Sequence, residues 1–123
     1  MRTDLEPISK RFPALGEITQ AHWHGSVPGR DSGGVPGPTD VHIQALVTLS
    51  ADSRAATAAR YTWQPAPADW ETALSNELRP YAPTDAAWQA SDEFTAEVCG
   101  HRYHGLAVFD PASGTVFLDV IGR

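Results

Sequence analysis

The sequence of 123 residues is poor in cysteine and in long apolar runs. A single cysteine, Cys99, excludes an intramolecular disulfide. No stretch approaches the roughly 20 apolar residues that a membrane helix needs, and the N-terminal residues lack the apolar core of a signal peptide. We therefore expect a cytoplasmic protein in which Cys99 is a buried thiol at the end of a helix.

The chain also lacks any cluster of basic residues. It has nine Lys and Arg residues against fifteen Asp and Glu residues, which gives a formal net charge of −6 at pH 7. The nine basic residues are scattered, so no track for phosphates is present, and this argues against binding to nucleic acid or to an anionic membrane surface. The negative charge favours a basic protein partner or a small neutral ligand.

The length fits one domain, so we predict a single α+β domain over residues 1–123 with an irregular N-terminal lead over residues 1–16. Apolar and polar residues alternate over 17–25 and again over 40–49, and this period of two predicts two strands. Four glycines and three prolines lie between them, in a loop over 26–39. The three segments together predict a long β-hairpin.

The second half of the chain predicts helices followed by another hairpin. Capping residues and apolar spacing predict helices over 51 to about 61, over 69–79 and over 92–99. The turn DPASG joins predicted strands over 104–110 and 115–121. The predicted fold is therefore an α+β antiparallel sheet of about four strands in two hairpins. Two or three helices pack on one face, in the order β-β-α-α-(α)-β-β.

Side-chain parity predicts that one face of the sheet is apolar and covered by helices, and that the opposite face is mixed. Aromatic residues beside histidines and amides are more than a solvated face requires, so we expect a ligand, a second copy in a homodimer or the 26–39 loop to cover this face. The predicted members are Gln20, His22, His24, His42, Gln44, Leu46, Tyr103, Phe109, Phe117 and Asp119.

The histidines of this face are candidates for a metal or catalytic site. His22 and His24 are two apart on one strand, so both point to the same side, and His42 lies on the partner strand. A register that places His22 across from His42 brings the three imidazoles together, and three histidines bind zinc with an open position. Asp119 is the candidate partner that orients a ligand. A solvated sheet face equally favours polar residues, so these histidines also fit a plain polar surface.

Two tryptophans lie outside the predicted regular elements. Trp63 is in a proline-flanked extended segment, and Trp88 is in an irregular one. Tryptophan is the residue most enriched in binding hot spots, so both are candidates to line a ligand pocket or to anchor a partner. The alternative is that they pack as covers over the protein's own helices.

Residues 31–34 read DSGG, a tetrapeptide that resembles the surroundings of the serine in chymotrypsin-like proteases. Those enzymes need two β-barrels and a triad ordered His, Asp, Ser along the chain. Apart from the adjacent Asp31, no carboxylate lies between His24 and Ser32, and the chain is too short for two barrels. Glycine and aspartate in a wide loop explain the tetrapeptide without catalysis.

The sequence leaves two functional hypotheses open. The first is a small non-enzymatic binding protein, of an inhibitor, immunity or adaptor type, that uses the aromatic and histidine-rich face. The alternative is a small enzyme with a pocket on that face under the 26–39 loop. It would use a histidine among His22, His24 and His42 for acid–base chemistry, with Asp119 as its partner and with or without zinc. We expect no other cofactor.

Overall fold

The computed structural model describes residues 2–26, 41–67, 69–83 and 87–122. Its centre is a six-stranded antiparallel sheet in the order β1-β2-β6-β5-β4-β3. The strands are β1 (Ile18–Ser26), β2 (Val41–Leu49), β3 (Gln64–Pro65), β4 (Gln89–Ala90), β5 (Tyr103–Asp110) and β6 (Thr115–Gly122). The α-helices are α1 (Glu6–Arg11), α2 (Ala51–Arg60) and α3 (Asp92–Cys99).

The mixed α+β class and the two long hairpins are confirmed, and β2 pairs with β6 to join the hairpins into one sheet. The number of strands is corrected from about four to six. The two additional strands, β3 and β4, are two residues long and extend the sheet beyond β5. Pro65 lies in the edge strand β3, where the missing N–H costs the sheet no hydrogen bond.

The caps of α2 and α3 agree with the sequence. The Ser50 hydroxyl accepts a hydrogen bond from the Ser53 N–H, and the Ser91 hydroxyl accepts one from the Phe94 N–H. Gly100 ends α3 with a φ of 60°, a left-handed conformation that glycine adopts without a Cβ penalty. No helix in the described part of the chain is long and apolar enough to cross a membrane.

The N-terminal lead contains regular structure. Within residues 1–16, α1 is followed by a 3₁₀ turn over Pro13–Leu15. Ile8, Phe12 and Leu15 are buried in the main core of the protein. These three buried side chains anchor the lead on the sheet.

The α-helix predicted over 69–79 is wrong. The segment forms a 3₁₀ turn over Trp70–Ala73 and a second one over Arg79–Tyr81. The N–H of Ser75 donates to the side-chain Oε1 of Gln44 at 3.1 Å, so it is not available for a helical bond to the preceding turn. We call residues 69–83 the covering segment.

The core has two parts, one on each face of the sheet. The first face carries the three α-helices and the larger cluster, which includes Phe12, Phe94 and Phe109. The second face lies under the covering segment, and its smaller buried cluster combines sheet residues with segment residues. The members of that cluster are Leu46, Val108, Phe117, Trp70, Leu74 and Leu78.

The side-chain parity predicted for β5 is wrong. Asp110 pairs with Thr115, so the turn between them contains four residues, 111–114. An even-numbered turn makes facing residues differ in parity, and Phe109 therefore pairs with Val116 on the first face. Tyr103 also lies in the first-face cluster. Phe109 and Tyr103 therefore lie on the face opposite to the one that the sequence pattern predicted.

Candidate functional site

The predicted convergence of His22, His24 and His42 does not occur. In the β1–β2 register, His22 faces Leu46, while His42 faces Ser26. The four-residue offset between Leu46 and His42 corresponds to about 13 Å along a strand. In the ranges that the structure describes, no group of three or more His, Cys, Asp or Glu residues could hold a metal ion. The register expected from the sequence is corrected accordingly.

Asp119 joins two of the predicted residues on the second face. It faces Gln44 across the β2–β6 pair, and its Oδ1 contacts both His42 Nε2 and Gln44 Nε2, the latter at 3.3 Å. The His42 side chain is 31% exposed and that of Asp119 is 23% exposed, so this pair remains accessible to solvent. The sequence-based pairing of a histidine with Asp119 therefore has a structural counterpart in His42.

A hydrogen-bonded chain continues from Asp119 into the covering segment. Gln44, 5% exposed, donates to Asp119 through its amide nitrogen and accepts from the Ser75 N–H through its amide oxygen. The Ser75 hydroxyl oxygen then lies 3.1 Å from His24 Nε2. We call this series the polar chain: His42, Asp119, Gln44, Ser75 and His24.

His22 makes a different contact. Its ring stacks on that of Tyr81, with the ring centroids 3.8 Å apart and the planes 13° from parallel. Tyr81 is 49% exposed, and among the large hydrophobic residues of the described ranges it alone is classed as exposed. The stack therefore presents an aromatic ring to solvent at the end of the covering segment.

The aromatic surface expected on the second face is covered by the protein itself. Phe117 is fully buried, and its ring centroid lies 5.5 Å from that of Trp70 in the covering segment. Leu46 is buried in the same cluster. The loop over 26–39, with its DSGG tetrapeptide, lies outside the described residues apart from Ser26 at the end of β1. That this loop covers the second face stays a prediction.

The remaining candidates pack within the fold or lie at its surface. Trp63 packs on the first face, with Phe94 and Phe109 each 5.1 Å away between ring centroids. Trp88 packs on the second face against Trp70, at 4.9 Å. Both tryptophans are half-buried, which agrees with packing as covers, and Gln20 is exposed on β1.

Two residues of this surface, Ser75 and Tyr81, were missed by sequence reasoning. Ser75 lies between Leu74 and Leu78 and is followed by Asn76, and both Ser75 and Asn76 are residue types that favour turns over helix interiors. This pair of poor helix formers was the available signal that the segment is not a helix. No local signal indicated that Tyr81 would stack on His22.

No family model, curated protein or solved structure matches this chain.

The groups with shifted pKa values lie away from the polar chain. Burial, together with a hydrogen bond to Glu97, raises the pKa of Tyr61 to about 12. Burial also raises the pKa of the Cys99 thiol, which lines a groove of about 290 Å³ between α3 and β5. A bidentate contact from Arg2 lowers the pKa of the Asp4 carboxyl. We interpret the first two as properties of the core.

Proposed function

We propose that this protein is a small binding protein that captures a basic protein partner on the second face, with Tyr81 as the anchor. The observation that carries the proposal is the exposed Tyr81 ring stacked on His22. Most large apolar residues of the described ranges are buried. An exposed aromatic residue that is already oriented is therefore the strongest candidate contact for a partner.

The stack favours binding because it limits the motion of the tyrosine ring before a partner arrives. Tyrosine is enriched among binding hot spots, and it presents a large contact area with few rotatable bonds. An aromatic ring held in place loses less conformational entropy when a partner packs against it. His22 therefore acts as a support for Tyr81.

The charge of the protein favours a basic partner. The formal net charge is −6, and the covering segment carries the exposed Glu77 four residues before Tyr81. Asp119 adds a partly exposed carboxylate on the same face. A lysine or arginine of the partner can contact the tyrosine ring through a cation–π interaction while it approaches these carboxylates.

The test compares three forms of the protein as bait: the wild type, Tyr81→Ala and Tyr81→Phe. A partner recovered with the wild type and with Tyr81→Phe is purified, and its Kd for each form is measured by calorimetry. We expect Tyr81→Ala to raise the Kd about 30-fold, the effect of a hot-spot residue worth about 2 kcal/mol. Tyr81→Phe keeps the ring and should stay within about threefold. Equal Kd values for all three forms would contradict the proposal, as would an acidic partner or self-association as the only complex.

A second candidate function is acid–base catalysis, and the contact between His42 and Asp119 favours it. A carboxylate that accepts from one imidazole nitrogen orients the ring and fixes which nitrogen faces a substrate. The remaining nitrogen, Nδ1, would then exchange a proton with a substrate. An activity found in a substrate screen should fall about 100-fold or more in His42→Gln and remain in His101→Gln, whose histidine is exposed elsewhere. Equal activity in both variants would exclude His42 as the base.

A further inference from the structure

The hydroxyl of Ser75 has a different environment from the hydroxyls of the capping serines. Ser50 and Ser91 accept hydrogen bonds from backbone N–H groups at the starts of α2 and α3, and Ser53 accepts one from the Glu17 N–H at 2.9 Å. The Ser75 Oγ instead lies 3.1 Å from the imidazole Nε2 of His24. A serine hydroxyl within hydrogen-bond reach of an imidazole is the arrangement that activates a nucleophile.

The backbone of Ser75 is fixed on both sides of this hydroxyl. Its N–H donates to Gln44 Oε1 at 3.1 Å, and its carbonyl accepts from the N–H groups of Leu78 at 3.1 Å and Arg79 at 3.2 Å. Gln44 is itself oriented by its bond to Asp119. Ser75 thus occupies a defined position opposite His24, although it lies in an irregular segment.

Ser75 and His24 are also accessible, because both are only half-buried. His24 projects from β1, an edge strand of the sheet, and Ser75 belongs to the covering segment. The reaction proposed below requires that a small electrophile reach the hydroxyl without unfolding of either element. Nothing in the binding proposal for Tyr81 requires this reactivity.

We propose that Ser75 is a nucleophile activated by His24, and that it accepts acyl groups from small activated esters. The Ser75 oxygen forms a bond to the carbonyl carbon while His24 Nε2 takes the hydroxyl proton. The bond between the carbonyl carbon and the leaving oxygen then breaks, and the leaving group departs as an alcohol with the proton from His24. The products are a Ser75 ester and an alcohol, so no further reactant is needed.

The test measures covalent labelling of the folded full-length protein by a fluorophosphonate, which marks activated serines, with p-nitrophenyl acetate as a second probe. Tryptic mass spectrometry locates the adduct, and the release of p-nitrophenol gives the rate. We expect the wild type to be labelled on Ser75 and Ser75→Ala to be unlabelled. Ser75→Ala keeps the N–H bond to Gln44, so it should remain folded by circular dichroism.

The histidine variants test the activation itself. His24→Gln should slow labelling of Ser75 about 100-fold or more, the usual contribution of a general base, and should remove the pH dependence of the rate. The matched controls His101→Gln and Ser53→Ala should react at the wild-type rate. The proposal is overturned if the folded wild type carries no adduct on Ser75, if the adduct lies on another residue, or if His24→Gln reacts as fast as the wild type.

Discussion

The two faces of the same sheet are covered in different ways. On the first face, regular helices satisfy their own backbone hydrogen bonds, so an apolar helix side chain such as Phe94 can pack on Phe109 of the sheet without polar partners. On the second face, the covering segment has no α-helix, and its backbone uses sheet side chains as hydrogen-bond partners: the Ser75 N–H donates to Gln44 Oε1. An irregular cover therefore requires polar residues on the strands beneath it.

The two faces therefore differ in their expected roles: the first mainly stabilises the fold, and the second carries the candidate functional residues. The first face contains the larger cluster of buried residues, including several fully buried aromatics. The second face contains His22, His24, His42, Asp119 and the exposed Tyr81. We therefore expect substitutions on the first face to act mainly on folding, and substitutions on the second face to act increasingly on binding and reactivity.

The largest effect on stability is expected from Phe109→Ala on the first face. Phe109 is fully buried, and its ring lies 5.1 Å from Trp63 between centroids. Loss of such a phenylalanine typically lowers the free energy of unfolding by about 4 kcal/mol. Urea unfolding measures the change, and a loss below about 1 kcal/mol would contradict the assignment of Phe109 to the core.

On the second face, Leu78→Ala should lower the free energy of unfolding by about 3 kcal/mol, because Leu78 of the covering segment is fully buried in the cluster that joins the segment to the sheet. Native-state hydrogen exchange distinguishes local opening of the covering segment from global unfolding. In this variant, the Ser75 amide should exchange faster relative to the amides of α3 than it does in the wild type. A uniform acceleration of both would show that the covering segment opens only with global unfolding.

Gln44→Ala should cost about 2 kcal/mol, since it leaves the Ser75 N–H without its acceptor and removes a donor from Asp119. Ser75→Ala is the matched control, because the same N–H bond survives and only the hydroxyl is lost. We expect this control to cost less than about 1 kcal/mol in the same unfolding assay. Equal losses would contradict the assignment of the larger contribution to the bonds of Gln44.

The smallest effect is expected from Tyr61→Phe on the first face, and it depends on pH. The Tyr61 pKa is raised from 10.0 to about 12, so the folded state favours the neutral phenol. Its contribution to stability is complete below pH 10 and is lost as the pH rises towards 12. Thermal unfolding between these values should show a smaller decline in Tyr61→Phe than in the wild type. Identical declines would indicate that other groups dominate.

Local sequence patterns predicted the first face better than the second. The alternation in β1 and β2 placed Ala21, Trp23 and Ile43 in the core, and the capping serines located the starts of α2 and α3. These features depend on neighbouring residues only. Parity failed in β5 because it depends on the number of residues in the following turn, where one residue reverses every assignment.

The candidate site was predictable only in part. Parity brought His24, His42, Gln44 and Asp119 to one face, as the structure has them, but it could not give the register that separates His42 from His22. Ser75 and Tyr81 could not be placed, because the covering segment owes its position to long-range contacts with the sheet. Residues far apart in sequence determine those contacts, and the periodic spacing of apolar residues within one segment does not predict them.

Backbone chemical-shift mapping with the purified partner tests most directly whether the second face is the binding face. Addition of the partner to the isotope-labelled protein should shift the amides of His22, Glu77 and Tyr81, while the amides of α2 and α3 remain unchanged. Shifts confined to α2 and α3, with the covering segment unaffected, would contradict binding on the second face.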